Sequence, residues 1–282
     1  MPRERAFAQV DVFSSVPYRG NPVAVILDAE GLSDDEMAQI ANWTNLSETT
    51  FVLPPTDERA DYRLRIFTRT RELPFAGHPT LGSAAAWLHA GGQPQREDRL
   101  VQECGVGLVE LRRSTETADQ LAFAAPDLLR SGPLDESFVS DIAAALGVDR
   151  SEILDHAWVD NGPGWAAVRL ASADQVLALT PDFAGLPDLK LGVVGAHRQG
   201  SDHEYEVRAF VPGVGVAEDP VTGSLNASVA QWLMDSGLVP DAYTATQGTA
   251  IGRAGVISIT RDGDAVWVGG PTTVCFTGTA SA

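Results

Sequence analysis

The sequence predicts an α+β fold built twice, each copy a strand-rich sheet wrapped around one buried helix. Three observations predict it: many short strands with few helices, two helices without a polar face, and a motif set repeated half a chain apart. Short segments such as Phe7–Phe13, Pro22–Leu27, Thr50–Leu53, Tyr62–Phe67, Leu108–Arg112, Ala157–Val159, Ala166–Leu170, Leu191–Ala196, Glu204–Phe210, Val256–Thr260 and Ala265–Gly269 alternate apolar with polar or run β-branched. Gly, Pro, Asp or Asn bounds them, which is how strands read. Runs of strands without interleaved helices disfavour a Rossmann-like sheet, and neither Gly-x-Gly-x-x-Gly nor a Walker loop occurs.

Helical patterns are few. Ser33-Asp-Asp-Glu36 is a capping box opening a helix through Trp43, with Met37, Ile40 and Ala41 on one face. Ser137–Leu146 and Ala173–Leu179 are weaker helices. Leu81–Ala90 is small or apolar nearly all round and stops at Gly91-Gly92. A helix with no polar face is a buried helix, and Gly82, Ser83 and three alanines let sheet approach it closely. Ser224–Asp235, ending at Gly237, repeats the design.

The repeat organises the chain. Arg65-Ile-Phe67 is followed eleven residues later by His78-Pro-Thr-Leu-Gly-Ser83, and Arg208-Ala-Phe210 nine residues later by Asp219-Pro-Val-Thr-Gly-Ser224. A fainter match places Asn21-Pro-Val-Ala-Val-Ile beside Gly164-Trp-Ala-Ala-Val-Arg. Two like domains follow, 1–125 and 126–282, with a boundary near Pro126–Pro133 and a C-terminal segment free to return to the first.

Composition excludes several function classes. The 282 residues are 44% hydrophobic and carry 20 Lys plus Arg against 38 Asp plus Glu, a formal charge of −18. Phosphates need clustered cations, so neither nucleic acid nor anionic membrane is an expected partner. Only Lys190 is a lysine, in a loop-like stretch, so Schiff-base chemistry is set aside. Met1-Pro-Arg-Glu-Arg is too charged for a signal peptide and no apolar stretch spans a bilayer, which points to the cytoplasm. Cys104 and Cys275 form no disulfide framework, and five dispersed histidines offer no metal spacing, so a structural zinc is not expected.

Two buried helices that begin at Gly77-His78-Pro79 and Glu218-Asp219-Pro220 present first-turn N–H groups and a positive dipole end, a ready carboxylate site. If the domains face each other, a small anionic substrate would lie between His78 and Asp219. Singly, each residue reads as a cap or turn residue; an ionisable group at the same offset in both copies favours chemistry.

Six motifs in order carry a resemblance: Gly20-Asn-Pro-Val-Ala-Val25, Ser47-Glu-Thr-Thr-Phe51, Arg65-Ile-Phe67, Glu72-Leu-Pro-Phe-Ala-Gly-His-Pro-Thr80, Glu218-Asp-Pro-Val-Thr-Gly-Ser224 and Gln247-Gly-x-x-x-Gly-Arg253-x-Gly255. Over nearly the whole chain it resembles the PhzF family of phenazine-biosynthesis isomerases, within the diaminopimelate epimerase-like fold. The resemblance implies two pseudo-symmetric domains, a homodimer, and isomerisation of trans-2,3-dihydro-3-hydroxyanthranilate without metal or organic cofactor. It implies Glu48 as the acid/base, with His78, Asp219 and Ser224 orienting the substrate and helping the transfer. Backbone N–H groups at Gly77, Gly223, Ser224 and Gly252-Arg253 would hold the carboxylate.

One carboxyl group acting alternately as acid and base works best with a raised pKa, which burial beside Leu46, Phe51 and Val52 would supply. From local sequence alone, Glu48 reads as a polar turn residue ahead of the strand Thr50–Leu53. Racemases of this fold use two thiols at helix starts; here those loops have no cysteine, and Cys104 and Cys275 read as inert core residues. Leu225-Asn226 stands where many family members carry Ala-His, which puts Asn226 by the pocket and the substrate in question. A metabolite- or partner-binding protein, or another carbon-acid enzyme such as an epimerase or dehydratase, remain alternatives.

Overall fold

The structure, a computed structural model, describes residues 3–113, 120–214 and 217–282. The chain divides into two compact units, 1–124 with 269–282, and 125–268.

The first unit runs β1 (Glu4–Val12), β2 (Asn21–Ile26), α1 (Asp34–Thr44), β3 (Glu48–Leu53), β4 (Tyr62–Thr68), β5 (Glu72–Leu73), α2 (Gly77–His89), β6 (Arg99–Cys104), β7 (Gly107–Arg113) and β8 (Gln120–Ala124). The second runs β9 (Arg130–Gly132), α3 (Glu136–Leu146), β10 (Asp155–Asp160), β11 (Ala166–Leu170), α4 (Ala173–Ala178), β12 (Leu191–Ala196), β13 (Tyr205–Phe210), β14 (Glu218–Asp219), α5 (Gly223–Asp235), β15 (Ala242–Gln247) and β16 (Gly255–Asp262). β17 (Ala265–Ser281) begins in the second unit and continues past Gly269 into the first.

In the first unit the ladders β1–β2, β2–β3, β3–β4, β4–β6 and β6–β7 are antiparallel, parallel, antiparallel, parallel and antiparallel. β7 pairs with β8, β8 with β17 and β17 with β1, which closes an eight-strand barrel. Closure leaves no exposed strand edge. In the second unit β10–β11, β11–β12, β12–β13, β13–β15 and β15–β16 alternate in the same order.

Local chemistry explains the helices. Ser33 Oγ accepts from Glu36 N at 3.3 Å, and Glu36 accepts from Ser33 N at 2.8 Å, so both members of the capping box are made. Met37 and Ala41 enter the core with Ile26, Phe51 and Phe67, and Ile40 packs at its edge. α2 is buried from Gly77 through Ala84 and again at Ala86, on every face. Two of its buried hydroxyls are satisfied inside: Ser83 Oγ donates to Pro79 O at 2.6 Å and lies 2.8 Å from Thr50 Oγ1, and Gln102 Nε2 donates to Thr80 Oγ1 at 3.1 Å.

Close approach depends on Gly82. A Cβ there would stand 2.3 Å from Val23 Cγ1 and 2.9 Å from Val12 Cγ2, inside van der Waals contact with β1 and β2.

The sequence missed β6, β8, β15 and most of β17. β6 and β15 mix charged or polar residues with apolar ones (Arg-Leu-Val-Gln-Glu-Cys; Ala-Tyr-Thr-Ala-Thr-Gln), because polar atoms on their inner faces are bonded rather than replaced by carbon. Cys104 pairs with Gly107 across a Gly105-Val106 turn, so the loop expected ahead of a strand is a hairpin.

Gly82→Ala should overpack the barrel interior and cost roughly 1–3 kcal/mol of stability, read as a lowered urea midpoint at unchanged m-value.

Candidate active site

The Arg-x-Phe motif anchors each site loop. Arg65 bonds both carboxylate oxygens of Glu72 at 2.7 and 2.6 Å, reaches Asp34 of α1 at 2.5 Å, and its guanidinium carbon lies 5.1 Å from the Phe67 ring centroid. Arg208 repeats this with Glu218 at 3.0 and 2.7 Å, the carbonyls of Val176 and Leu179 at 3.2 and 2.8 Å, and Phe210 at 4.8 Å. The second pair is the deeper, with both side chains under a tenth exposed. Bidentate geometry fixes the strand after the turn, and hence the loop leaving it.

Those anchors correct the register of the repeat. Phe67 pairs with Glu72 and Phe210 with Glu218, and the helices start five residues later, at Gly77 and Gly223. The duplicated segment is therefore Glu-x-Pro-x-x-Gly, in which His78 matches Ser224 and Leu73 matches Asp219. His78 and Asp219 are not counterparts. The Pro-x-x-Gly-Ser likeness misleads because Pro79 to Ser83 lie inside α2, whereas Pro220 lies ahead of α5.

In the first unit Glu48 opens β3 rather than preceding it, pairing with Thr68. Side chains alternate along a strand, so Glu48 shares a face with Thr50, which bonds Ser83 of α2. Phe51 points the other way, into the α1 core, and is not the apolar neighbour expected of Glu48. His78 is the second residue of α2, and its Nδ1 lies 3.6 Å from Glu48 Oε2. The two side chains are 7% and 16% exposed, so the contact is shielded from water yet reachable on the Glu48 side. Burial lowers the His78 pKa to about 4, outweighing the Pro22 carbonyl that favours the charged ring. At neutral pH the imidazole is uncharged, and 3.6 Å is longer than a hydrogen bond, so this is no salt bridge.

In the second unit Ser224 is the second residue of α5. Its Oγ accepts from the Trp165 indole N–H at 3.1 Å, and its carbonyl accepts from Asn161 Nδ2 at 2.9 Å. Asp219 Oδ2 accepts from Thr222 Oγ1 at 2.5 Å. Asn226 is 2% exposed and commits its amide hydrogens to Thr222 O at 2.9 Å and Gln247 Oε1 at 2.7 Å. It braces the helix start from within. Arg253 and Gly252 close a short turn, Thr249–Ile251, in which Arg253 N donates to Gly248 O at 2.9 Å. Gly248 is required there: its φ is +89°, and a Cβ would meet Pro220 O at 2.6 Å and Arg253 Cβ at 2.7 Å. That turn is packed against the Asp219-Pro220 bend.

Neither α2 nor α5 has a side-chain cap at its start, so the N–H groups of Gly77, His78, Gly223 and Ser224 stand in the arrangement that binds a carboxylate. Cys104 closes β6 and Cys275 lies within β17, so neither is a residue of a helix start, and burial raises each thiol pKa. Among the described residues no three His, Cys, Asp or Glu side chains group to hold a metal, and no helix is long and apolar enough to cross a membrane. Residues to which sequence reasoning gave no role are Thr222, Trp165, Asn161 and Gln247; Thr222 and Gln247 had a signal as members of motifs, Trp165 only as part of the fainter repeat match, and Asn161 none.

The neutral state of His78 sets a pH prediction. Its folded pKa lies below the unfolded value near 6.5, so the unfolded chain binds the extra proton and stability falls as pH drops from about 6.5 to about 4. Urea melts across that window should show wild type losing on the order of 3 kcal/mol more than His78→Gln.

Comparison with known proteins gives the family and the fold. The family model for phenazine biosynthesis-like proteins matches residues 10–281. The chain is 40% identical over 294 residues to antisense-enhancing sequence 1 of Schizosaccharomyces pombe, covering 98% of each. It is 36% identical over 254 residues to the trans-2,3-dihydro-3-hydroxyanthranilate isomerase of Pseudomonas aeruginosa, covering 88% of this chain and 87% of that one. The crystal structure of a PhzF-family protein of Enterococcus faecalis superposes with a TM-score of 0.82 at 25% identity over 99% of both chains. A hydroxyproline epimerase of Agrobacterium vitis, 14% identical, shares the fold with a TM-score of 0.58, covering 99% of this chain and 93% of that one. The matched family model and the extended identity to named isomerases show that this chain belongs to the phenazine biosynthesis-like family, as an isomerase.

Proposed function

We propose that the protein is a cofactor-independent isomerase of a small cyclic or unsaturated carboxylic acid, of the trans-2,3-dihydro-3-hydroxyanthranilate type, with Glu48 as its acid/base. The observation that carries this is Glu48 Oε2 at 3.6 Å from a buried, uncharged His78 at the uncapped start of α2.

In the proposed reaction the Glu48 carboxylate takes a proton from one ring carbon. The C–H electron pair spreads through the conjugated double bonds, and the Glu48 O–H returns the proton to another carbon. One C–H bond breaks, another forms, the double bonds shift, and no atom or electron is gained or lost. His78, uncharged, orients the substrate by hydrogen bonding without adding a charge. Asp219 and Ser224 orient it likewise. Ser224 suits the part: its Oγ already accepts the Trp165 N–H, so its hydroxyl proton is the one it has to give. Gly77, Gly223, Ser224, Gly252 and Arg253 are assigned to substrate binding, through backbone N–H groups. Asn226 acts behind them, since both its amide hydrogens are committed internally. The homodimer and the cytoplasmic setting belong to the same proposal.

A second reading has its own support. The identity of 40% to antisense-enhancing sequence 1 exceeds the 36% to the Pseudomonas aeruginosa isomerase, so retention of the fold for binding alone is a rival. Glu48→Gln separates the two, being nearly isosteric but unable to carry the proton. An isomerase loses at least a hundredfold in kcat, followed by ultraviolet absorbance of trans-2,3-dihydro-3-hydroxyanthranilate, while its affinity for the substrate stays within a few fold. Turnover that survives Glu48→Gln removes the shuttle, and a wild type without turnover removes this substrate.

A further inference from the structure

We propose that Gln247 is a positioning residue that sets the direction of the Thr222 hydroxyl and thereby holds Asp219 as a hydrogen-bond acceptor. The proposal rests on the reading in which Asp219 meets the substrate.

Gln247 ends β15, where it pairs with Gly255 of β16 and with Val207 of β13, so its backbone is held from both sides. Its side chain is fully buried and its amide is saturated. Oε1 accepts from Thr222 N at 3.0 Å and from Asn226 Nδ2 at 2.7 Å. Nε2 donates to Asp219 O at 3.1 Å and to Thr222 Oγ1 at 3.0 Å. The amide has one workable orientation, because a flipped group would aim donors at the Thr222 and Asn226 N–H groups. Thr222 Oγ1 therefore receives a proton from Gln247, and its own single proton goes to Asp219 Oδ2. One neutral side chain thus fixes the carbonyl of Asp219, the oxygen its carboxylate must use as acceptor, and the residue ahead of α5. Buried networks satisfied to this degree specify one geometry, and their half-broken forms are costly.

The test combines kinetics with crystallography of Gln247→Met and Thr222→Val. With Asp219 no longer held, kcat should fall tenfold or more while KM stays within about threefold, since the substrate-binding N–H groups remain. The double variant should lose no more than the worse single one, because both substitutions cut the same chain of bonds. The crystal structure of Gln247→Met should show Thr222 Oγ1 turned away from Asp219 Oδ2. Should Gln247→Met fail to fold by circular dichroism, Gln247→Glu, assayed at a pH above the titration of the new carboxyl, carries the same test: the ionised group still accepts from Thr222 N and Asn226 but has no proton to donate to Thr222 Oγ1. Unchanged kcat, additive losses, or an intact Thr222–Asp219 contact in the variant overturns the proposal. A wild type without turnover counts against the isomerase reading instead, and the crystal contact then decides for or against Gln247 on its own.

Discussion

A helix with no polar face can be stable only if surrounding structure covers all of it, and that requirement governs this molecule. The first N–H groups of any helix lack intrahelical acceptors. Where the helix is buried from its first residue, those groups cannot be left to bulk water. In α2 the buried start carries His78, and in α5 it is braced by Asn226 and Gln247. Enclosure therefore creates polar, positively polarised positions in otherwise apolar surroundings, where an anionic ligand gains most from the helix ends. The close fit that encloses α2 in turn depends on a residue without a side chain, Gly82.

The two units meet that requirement with the same scaffold and different chemistry. Each anchors its loop with an Arg–Glu pair stacked on a phenylalanine and starts its helix five residues past that glutamate. On this shared frame the first unit sets two ionisable groups, Glu48 and His78, at contact distance. The second sets hydroxyls and amides whose proton directions are fixed by their neighbours: Trp165 on Ser224, Gln247 on Thr222 and Thr222 on Asp219. In the proposed isomerisation Glu48 moves the proton, and groups whose proton directions are fixed are suited to holding a substrate still.

Much of this was legible in the sequence because it is local. The capping box at Ser33 and the absence of a polar face on α2 and α5 are each readable within about a dozen residues, and the two Arg-x-Phe triplets match by their letters although they lie half a chain apart. The register of the repeat was not. Pro79-x-x-Gly82-Ser83 matches Pro220-x-x-Gly223-Ser224 letter for letter, and only strand pairing at Phe67 and Phe210 shows that the letters fall at different turns. The neighbours of Glu48 were misplaced for a similar reason: adjacency in sequence put Phe51 beside it, whereas the alternation of β3 sends that ring to the opposite face. Gln247 could be seen as part of a motif, but its four hydrogen bonds reach residues up to 28 positions away. Strands such as β6 and β15 escaped notice because their inner faces hold bonded polar groups, Gln102 and Gln247, beside hydrocarbon.

A single carboxyl group that lifts a proton and puts it back holds one hydrogen only, so in a site shielded from solvent the hydrogen that leaves one carbon is the hydrogen that arrives at the other. The direct measurement is to supply trans-2,3-dihydro-3-hydroxyanthranilate carrying deuterium at the carbon that is deprotonated, run the reaction in ordinary water, and locate the label in the product by NMR and mass spectrometry. Transfer through Glu48 predicts that a substantial share of the deuterium appears at the new carbon position. Product formed with the label wholly lost to solvent would contradict it.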